Sequence, residues 1–119
     1  MADSDDHFRS KVSQLDLNAR VLAFAIGYAL RAGRDDYAVE MGNHAWKLGV
    51  SKDDRRKVMD IINECFLAAR ELEWTSHGFK RSFRFWSEKE KAEYLDFANT
   101  IVGVLREKLT DKGCLGYGT

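Results

Sequence analysis

The most regular hydrophobic pattern in the chain lies at residues 52–72. Apolar side chains recur there at intervals of three and four residues, which places them on one face of an α-helix. They are Val58, Ile61, Ile62, Cys65, Phe66, Ala69 and Leu72. Lys52, Arg55 and Arg56 fall on the polar face of the first turns. The pattern predicts an amphipathic helix that buries this stripe and leaves its other face in water.

A second apolar segment predicts a central helix at residues 17–32. No residue between Arg20 and Arg31 is charged, so a helix here must be covered on most of its sides. Small residues recur at intervals of four along it, at Ala19, Ala23 and Gly27. A stripe of small residues allows another helix to approach closely.

Glycines and acidic residues predict the ends of a third helix. Gly33 suits the position after a helix C-terminus, and Asp35 or Asp36 is expected to cap the helix that follows. This helix is expected to run to about Leu48 and to end at Gly49.

Three further segments have the form of a capping box, in which a serine and an acidic residue three positions later cap a helix N-terminus. They are SQLD at 13–16, SKDD at 51–54 and SEKE at 87–90. The last predicts a final helix that runs to about Leu109. Its expected inward residues are Tyr94, Phe97, Ala98, Ile101, Val104 and Leu105, with Val102 and Leu109 widening the apolar face. Phe8, Val12 and Leu15 share one face of a helix near the start of the chain.

The segment FKRSFRFW, residues 79–86, combines four aromatic and three basic residues. Aromatic and polar positions nearly alternate, as in a strand, but Phe79, Phe83 and Trp86 also have helical spacing. We interpret the segment as extended, forming a hairpin with residues near 72–75. The alternation would turn Trp86 outward beside Arg84.

Together these patterns predict a mainly α fold with four or five helices in a single domain, residues 1–110. This prediction allows for a short β-hairpin near residues 72–86. Residues 111–119 contain three glycines and are expected to form a flexible C-terminal tail.

Composition narrows the classes of function. Lys and Arg together number 19, as do Asp and Glu, and this balance disfavours a nucleic-acid binder that acts through overall charge. The longest uncharged apolar run, VLAFAIGYAL, is too short to span a bilayer, which takes about 20 residues. The acidic, polar start of the chain does not resemble a signal peptide. We therefore expect a cytoplasmic protein that does not enter membranes.

Candidate catalytic and metal-binding residues are few. Glu40 and His44 share a helix face, but the sequence has no HExxH or CxxC motif, and neither a metal nor a cofactor is expected. Cys65 lies on the apolar stripe and is expected to behave as a small hydrophobe, whereas Cys114 lies in the glycine-rich tail. The expectation is a non-enzymatic protein, with a small helical enzyme as the third hypothesis.

Residues 44–58, HAWKLGVSKDDRRKV, place Ala45, Gly49 and Val58 where a helix-turn-helix has its small residue, turn glycine and buried branched residue. The segment resembles the helix-turn-helix of bacterial repressors. That resemblance implies DNA binding, with a hairpin at 72–86 as a wing. Arg55 departs from the pattern because this position normally holds a buried aliphatic residue. Asp53 and Asp54 would also repel phosphates.

A second resemblance covers GRDDYAVEMGNHA, residues 33–45, in which Gly33, Ala38 and Ala45 are placed as in one tetratricopeptide repeat. Such repeats require stacked neighbours, so the pattern is interpreted as the packing of a helical hairpin.

The leading hypothesis is a small regulatory or adaptor protein that binds another macromolecule, most plausibly a protein. The expected partner-binding residues are Lys80, Arg81, Arg84 and Trp86, because an outward tryptophan beside arginine is typical of protein–protein hot spots. The alternative is a winged-helix DNA-binding regulator, in which Lys80, Arg81 and Arg84 would contact the phosphates of the nucleic acid.

Overall fold

The computed structural model describes residues 2–66 and 83–110. The predicted mainly α architecture is confirmed, because these residues form five α-helices and two short 3-10 segments. The helices are α1 (Ala2–Val12), α2 (Leu17–Arg31), α3 (Asp35–Asn43), α4 (Lys52–Cys65) and α5 (Glu88–Thr110). The 3-10 segments are Ala45–Leu48, called here the 45–48 turn, and Phe83–Phe85. Within the described ranges no residue is in a β-strand. The predicted tail at 111–119 lies outside them.

Helix α2 is the centre of the fold, as its uncharged sequence predicted. Helices α3, α4 and α5 all pack on it, and α1 packs on α4. The largest fully buried side chains come from α1, α2 and α4, and they are Leu22, Ile26, Ile62, Val12, Val21 and Val58. Burying each such aliphatic side chain contributes about 1.5–3 kcal/mol. The fold is therefore organised around one apolar helix that the others cover.

Of the three predicted capping boxes, one forms completely, at Ser87, and one forms its serine half, at Ser51. Ser51 Oγ accepts a hydrogen bond from the backbone N–H of Asp54 at the start of α4. At the start of α5, Ser87 Oγ accepts from Glu90 N–H, and Glu90 Oε1 accepts from Ser87 N–H at 2.7 Å. Each cap satisfies helix N–H groups that have no partner within the helix.

Two other predicted caps are wrong. Helix α2 is capped by Asp16, whose carboxylate accepts from Ala19 N–H, while the Ser13 hydroxyl donates to the carbonyl of Ser10. The N-cap of α3 is Arg34, and both Asp35 and Asp36 lie inside the first turn. Acidic residues there still stabilise the helix through its dipole.

The third helix is shorter than predicted. It ends at Asn43, and the chain continues through the 45–48 turn to Gly49, which has a φ of 79°. At this end the Nε–H of Arg55 donates to the carbonyl of Gly42 at 2.5 Å. This hydrogen bond satisfies a carbonyl in the last turn of α3 from a neighbouring helix.

Helix α4 also ends earlier than its apolar stripe predicted. Phe66 has φ −127° and ψ 105°, which is extended backbone, so the helix stops at Cys65; residues 67–72 lie outside the described ranges. The Phe66 ring contacts the edge of Phe8 at a centroid distance of 5.3 Å. A Cβ at Gly27 would lie 3.4 Å from Cζ of Phe66 and 3.5 Å from Cζ of Phe8. Gly27, from the small-residue stripe, therefore packs against two aromatic rings and not against a helix backbone.

The inward face of α5 is nearly as predicted. Tyr94, Leu105 and Leu109 are buried, and the other predicted inward residues except Val104 pack against the core. Val104 is 43% exposed, so its inward placement is wrong.

In the aromatic–basic segment, residues 79–86, the structure differs from the prediction at the described residues 83–86. Residues 83–85 form a single 3-10 turn, so the strand interpretation is wrong there; residues 67–82 are outside the described ranges. Trp86 is only 8% exposed, so its outward placement is also wrong. Its ring stacks on Tyr37 at 6.1 Å and meets the edge of Tyr94 at 5.8 Å.

The thiol of Cys65 is expected to react slowly in the folded protein. The side chain is half-buried, and burial, followed by the neighbouring charge of Glu64, raises the pKa of the thiol, opposed by Lys11. Less of the reactive thiolate is therefore present at neutral pH. Maleimide labelling of a Cys114→Ser variant isolates this thiol. The rate should rise by at least about tenfold when the protein is unfolded, and equal rates would show that Cys65 is misplaced.

Candidate functional site

A groove runs between α5 and the end of α3 with the 45–48 turn. It encloses about 260 Å³. We call it the α5 groove, and its lining residues are Met41, His44, Lys47, Leu48, Tyr94, Leu95, Ala98, Asn99, Val102 and Gly103. Most of them are apolar, and the polar ones are His44, Lys47 and Asn99. An apolar concavity with a small number of polar groups is the usual form of a binding site.

The 45–48 turn forms one wall of the groove, and three features hold it in place. The Ala45 side chain is fully buried. Gly49 ends the turn in the left-handed conformation, which glycine adopts without strain. Arg106 of α5 donates from Nη2 to the carbonyl of Leu48 at 3.3 Å. This last bond joins the two walls directly.

Two large apolar side chains are exposed in or next to the groove lining. Leu95 on α5 is 44% exposed, and Trp46, next to the lining residue Lys47, is 68% exposed. The groove floor, in contrast, contains Met41 and Tyr94, which are both buried. Exposed aliphatic and aromatic groups beside an apolar recess mark interaction sites on protein surfaces.

A buried acid–base pair adjoins the groove. Glu40 on α3 is 5% exposed, and its Oε2 lies 2.7 Å from Nδ1 of His44. Burial raises the pKa of the Glu40 carboxyl to about 7, while Lys47 acts in the opposite direction. Burial, and then the positive charge of Lys47, lower the pKa of His44, against a hydrogen bond with the backbone of Glu40. Tyr94 also faces this pair: burial and the Glu40 charge raise the pKa of its phenol.

Both partners of the pair therefore favour their neutral forms, since taking either charge out of water is costly. The sequence indicated this pair through its i, i+4 spacing. The structure adds that the carboxyl is buried and that the imidazole lines the groove.

The two rims of the groove carry opposite charge. Lys47 is exposed on the rim formed by the 45–48 turn, with Nζ 5.5 Å from the centre of the Trp46 ring. On α5, the helical period places Asp96 and Glu107 beyond Gly103, on the outer side of the other rim. Both acidic residues are exposed. A partner in the groove would meet Lys47 at the lining itself and the acids only at its outer edge.

Of the four predicted partner-binding residues, the structure describes Arg84 and Trp86, and these two do not share a surface. Arg84 is exposed, with its guanidinium 4.9 Å from the centre of the Phe85 ring. Trp86 is buried, and Lys80 and Arg81 lie outside the described ranges. The described half of the predicted hot spot is therefore divided between the surface and the core.

The segment that resembles a helix-turn-helix departs from one in three dimensions. Its small residue, Ala45, lies in a 3-10 turn and not in the first helix. Asp53 and Asp54 occupy the first turn of α4, where a reading helix would approach phosphate. Arg55 uses its Nε–H on the carbonyl of Gly42, so it contributes to the fold at the position where the pattern expects an aliphatic residue.

Among the described residues, no three His, Cys, Asp or Glu side chains are grouped as metal ligands. No helix in the described part of the chain has the length and apolar character needed to cross a membrane. Comparison of the chain with protein-family models, curated proteins and solved structures finds no significant match.

Proposed function

We propose that this protein is a small non-enzymatic adaptor or regulatory protein that binds a partner protein through the α5 groove. The observation that carries the proposal is the apolar groove, with Leu95 exposed in its lining and Trp46 exposed next to the lining residue Lys47. Exposing such side chains to water is unfavourable by roughly 25 cal/mol for each Å² of apolar surface. A partner that covers them recovers this free energy.

The chemistry of the lining favours a protein over a nucleic acid as the partner. Phosphate-backbone binding depends on several cations arranged along a track, whereas the described lining has the single lysine Lys47 among mainly apolar side chains. Aromatic and aliphatic anchors in a pocket are the usual source of affinity between proteins. Lys52 and Arg56 lie in the first turns of α4 together with two aspartates.

A matched pair of substitutions tests the proposal. Leu95 and Val104 lie on the same helix with 44% and 43% exposure, but only Leu95 lines the groove. Peptides enriched from a displayed library of random sequences on the wild-type protein are the probe. Leu95→Asp should weaken their binding by at least about tenfold, because a carboxylate then faces the apolar anchors. Val104→Asp should change it by less than about twofold.

Both variants carry the same change of charge at equal exposure, so their melting temperatures should be similar. Enriched peptides that bind both variants as well as the wild type would place the binding surface elsewhere. Failure to enrich any peptide above background would reject the groove as a protein-binding site.

A further inference from the structure

We infer that the segment bound by the α5 groove is an amphipathic helix with apolar residues at i, i+4 and i+7 and acidic residues on the flank that faces Lys47. This inference rests on the proposed function and specifies the partner. It follows from the length of the groove, the small residues in its wall and the location of its charges.

The length of the groove matches three anchors of a helix. The apolar residues of its α5 wall run from Leu95 to Val102, seven residues along the helix. At 1.5 Å per residue this is about 10 Å. Anchors at i and i+7 of a helix lying alongside α5 have the same separation, and a third anchor at i+4 falls between them. A partner helix therefore fills the groove with about two turns.

The wall of α5 permits a close approach. Ala98 and Gly103 both line the groove, and a Cβ at Gly103 would have no other atom within 4 Å. The glycine thus leaves open space above the helix backbone, in which a large partner side chain can be received. In the middle of an exposed helix, glycine costs about 1 kcal/mol relative to alanine, so the protein gives up helix stability at this position.

The charges specify the flank of the partner. Lys47 lines the groove, and Arg106, which joins the two walls, adds a second positive charge at its end. The acidic residues of the same region lie away from the lining surface. Glu40 is buried against His44. Asp96 and Glu107 lie on the outer edge, separated from the floor by Asn99 and Gly103. The cations therefore lie closer to the lining than the exposed acids do, and an acidic flank next to Lys47 complements them.

Two synthetic peptides test the inference. Each is about 18 residues long, enough for some helix in isolation, with leucines at i, i+4 and i+7. One carries glutamates at the flanking positions and the other lysines. The acidic peptide should bind about tenfold more tightly at about 50 mM salt, and this preference should shrink as salt is added. Its helical circular dichroism should increase on binding.

Charge reversal provides the matched control. Lys47→Glu should abolish or invert the preference for the acidic peptide. Lys57→Glu makes the same change at an exposed lysine of α4 and should leave the preference intact. Loss of the preference in both variants would indicate only an effect of net charge and would overturn the inference.

The outcomes separate this inference from the proposed function. If library peptides bind through Leu95 but the acidic and basic peptides bind equally, the groove binds proteins and the charge assignment is wrong. If the bound library peptides stay extended, the helical partner is wrong. If the protein forms a dimer that Leu95→Asp dissociates, a second copy of the chain occupies the groove and the inference is overturned. If no peptide binds at all, the proposed function fails with it.

Discussion

Replacing Trp86 with alanine is expected to lower the free energy of unfolding by about 3–5 kcal/mol, the usual loss for a large buried aromatic side chain. The indole is 8% exposed. It lies in an aromatic cluster with Tyr37 and Tyr94, and Tyr37 also contacts Phe97 at a centroid distance of 5.0 Å. Removing the indole leaves a cavity among side chains from α3 and α5.

Chemical denaturation measures the effect, and Phe85→Ala is the control. Phe85 is the adjacent residue and is 66% exposed, so its removal should cost less than about 1 kcal/mol. A Trp86→Ala variant as stable as Phe85→Ala would mean that the indole lies on the surface. That result would also restore Trp86 as a partner-binding residue.

The second large effect concerns pH. Glu40→Gln is expected to remove a loss of stability that the wild-type protein undergoes as the pH rises. The pKa of Glu40 is raised by burial from its ordinary 4.5 to about 7. A raised folded-state pKa gives stability that is present below about pH 4.5 and is lost as the pH rises through about 7. For His44 the folded-state pKa is lowered, so its contribution is present above about pH 6.5 and is lost at lower pH.

The two contributions have opposite signs, and comparison with the variant measures that of Glu40 together with its interaction with His44. Between about pH 5.5 and 8, the wild type should lose about 2 kcal/mol more than Glu40→Gln does. Glu93→Gln changes an exposed glutamate of α5 and should keep the wild-type difference between the two pH values. If the free energies of unfolding of wild type and Glu40→Gln change in parallel with pH, the carboxyl is hydrated in the folded protein. The placement of Glu40 in the core beside His44 would then be wrong.

Local sequence signals predicted the elements whose determinants are local. The caps at Ser51 and Ser87 depend on residues three positions apart, which a pattern can identify. The central helix α2 could also be predicted, because a helix with no charged residue between Arg20 and Arg31 has to be buried. That prediction does not depend on which elements pack against it.

Elements that end through distant contacts were not predictable in this way. Helix α3 ends at Asn43, where Arg55 of α4 satisfies the carbonyl of Gly42, and nothing in the local pattern of α3 indicates this bond. Trp86 is a similar case. Its short segment fits both strand and helix periods, and the aromatic rings of Tyr37 and Tyr94, from two other elements, decide that it is buried.

The α5 groove could be predicted only in part. The spacing of Glu40 and His44, and the widening of the α5 face at Val102, are visible in the sequence. The pairing of the 45–48 turn with α5 is not, because it depends on the packing of both elements on the rest of the fold and on the bond from Arg106 to Leu48.

The central claim is that the α5 groove is the docking surface, and mapping the backbone amide NMR shifts during titration with a library-selected peptide tests it most directly. A peptide docked in the α5 groove should give the largest shift changes in two stretches that are distant in sequence, residues 44–48 and 95–106, with smaller changes along α4. Changes concentrated at residues 52–63, or at residues 84–86, while the amide shifts of the groove stay unchanged, would contradict docking in the groove.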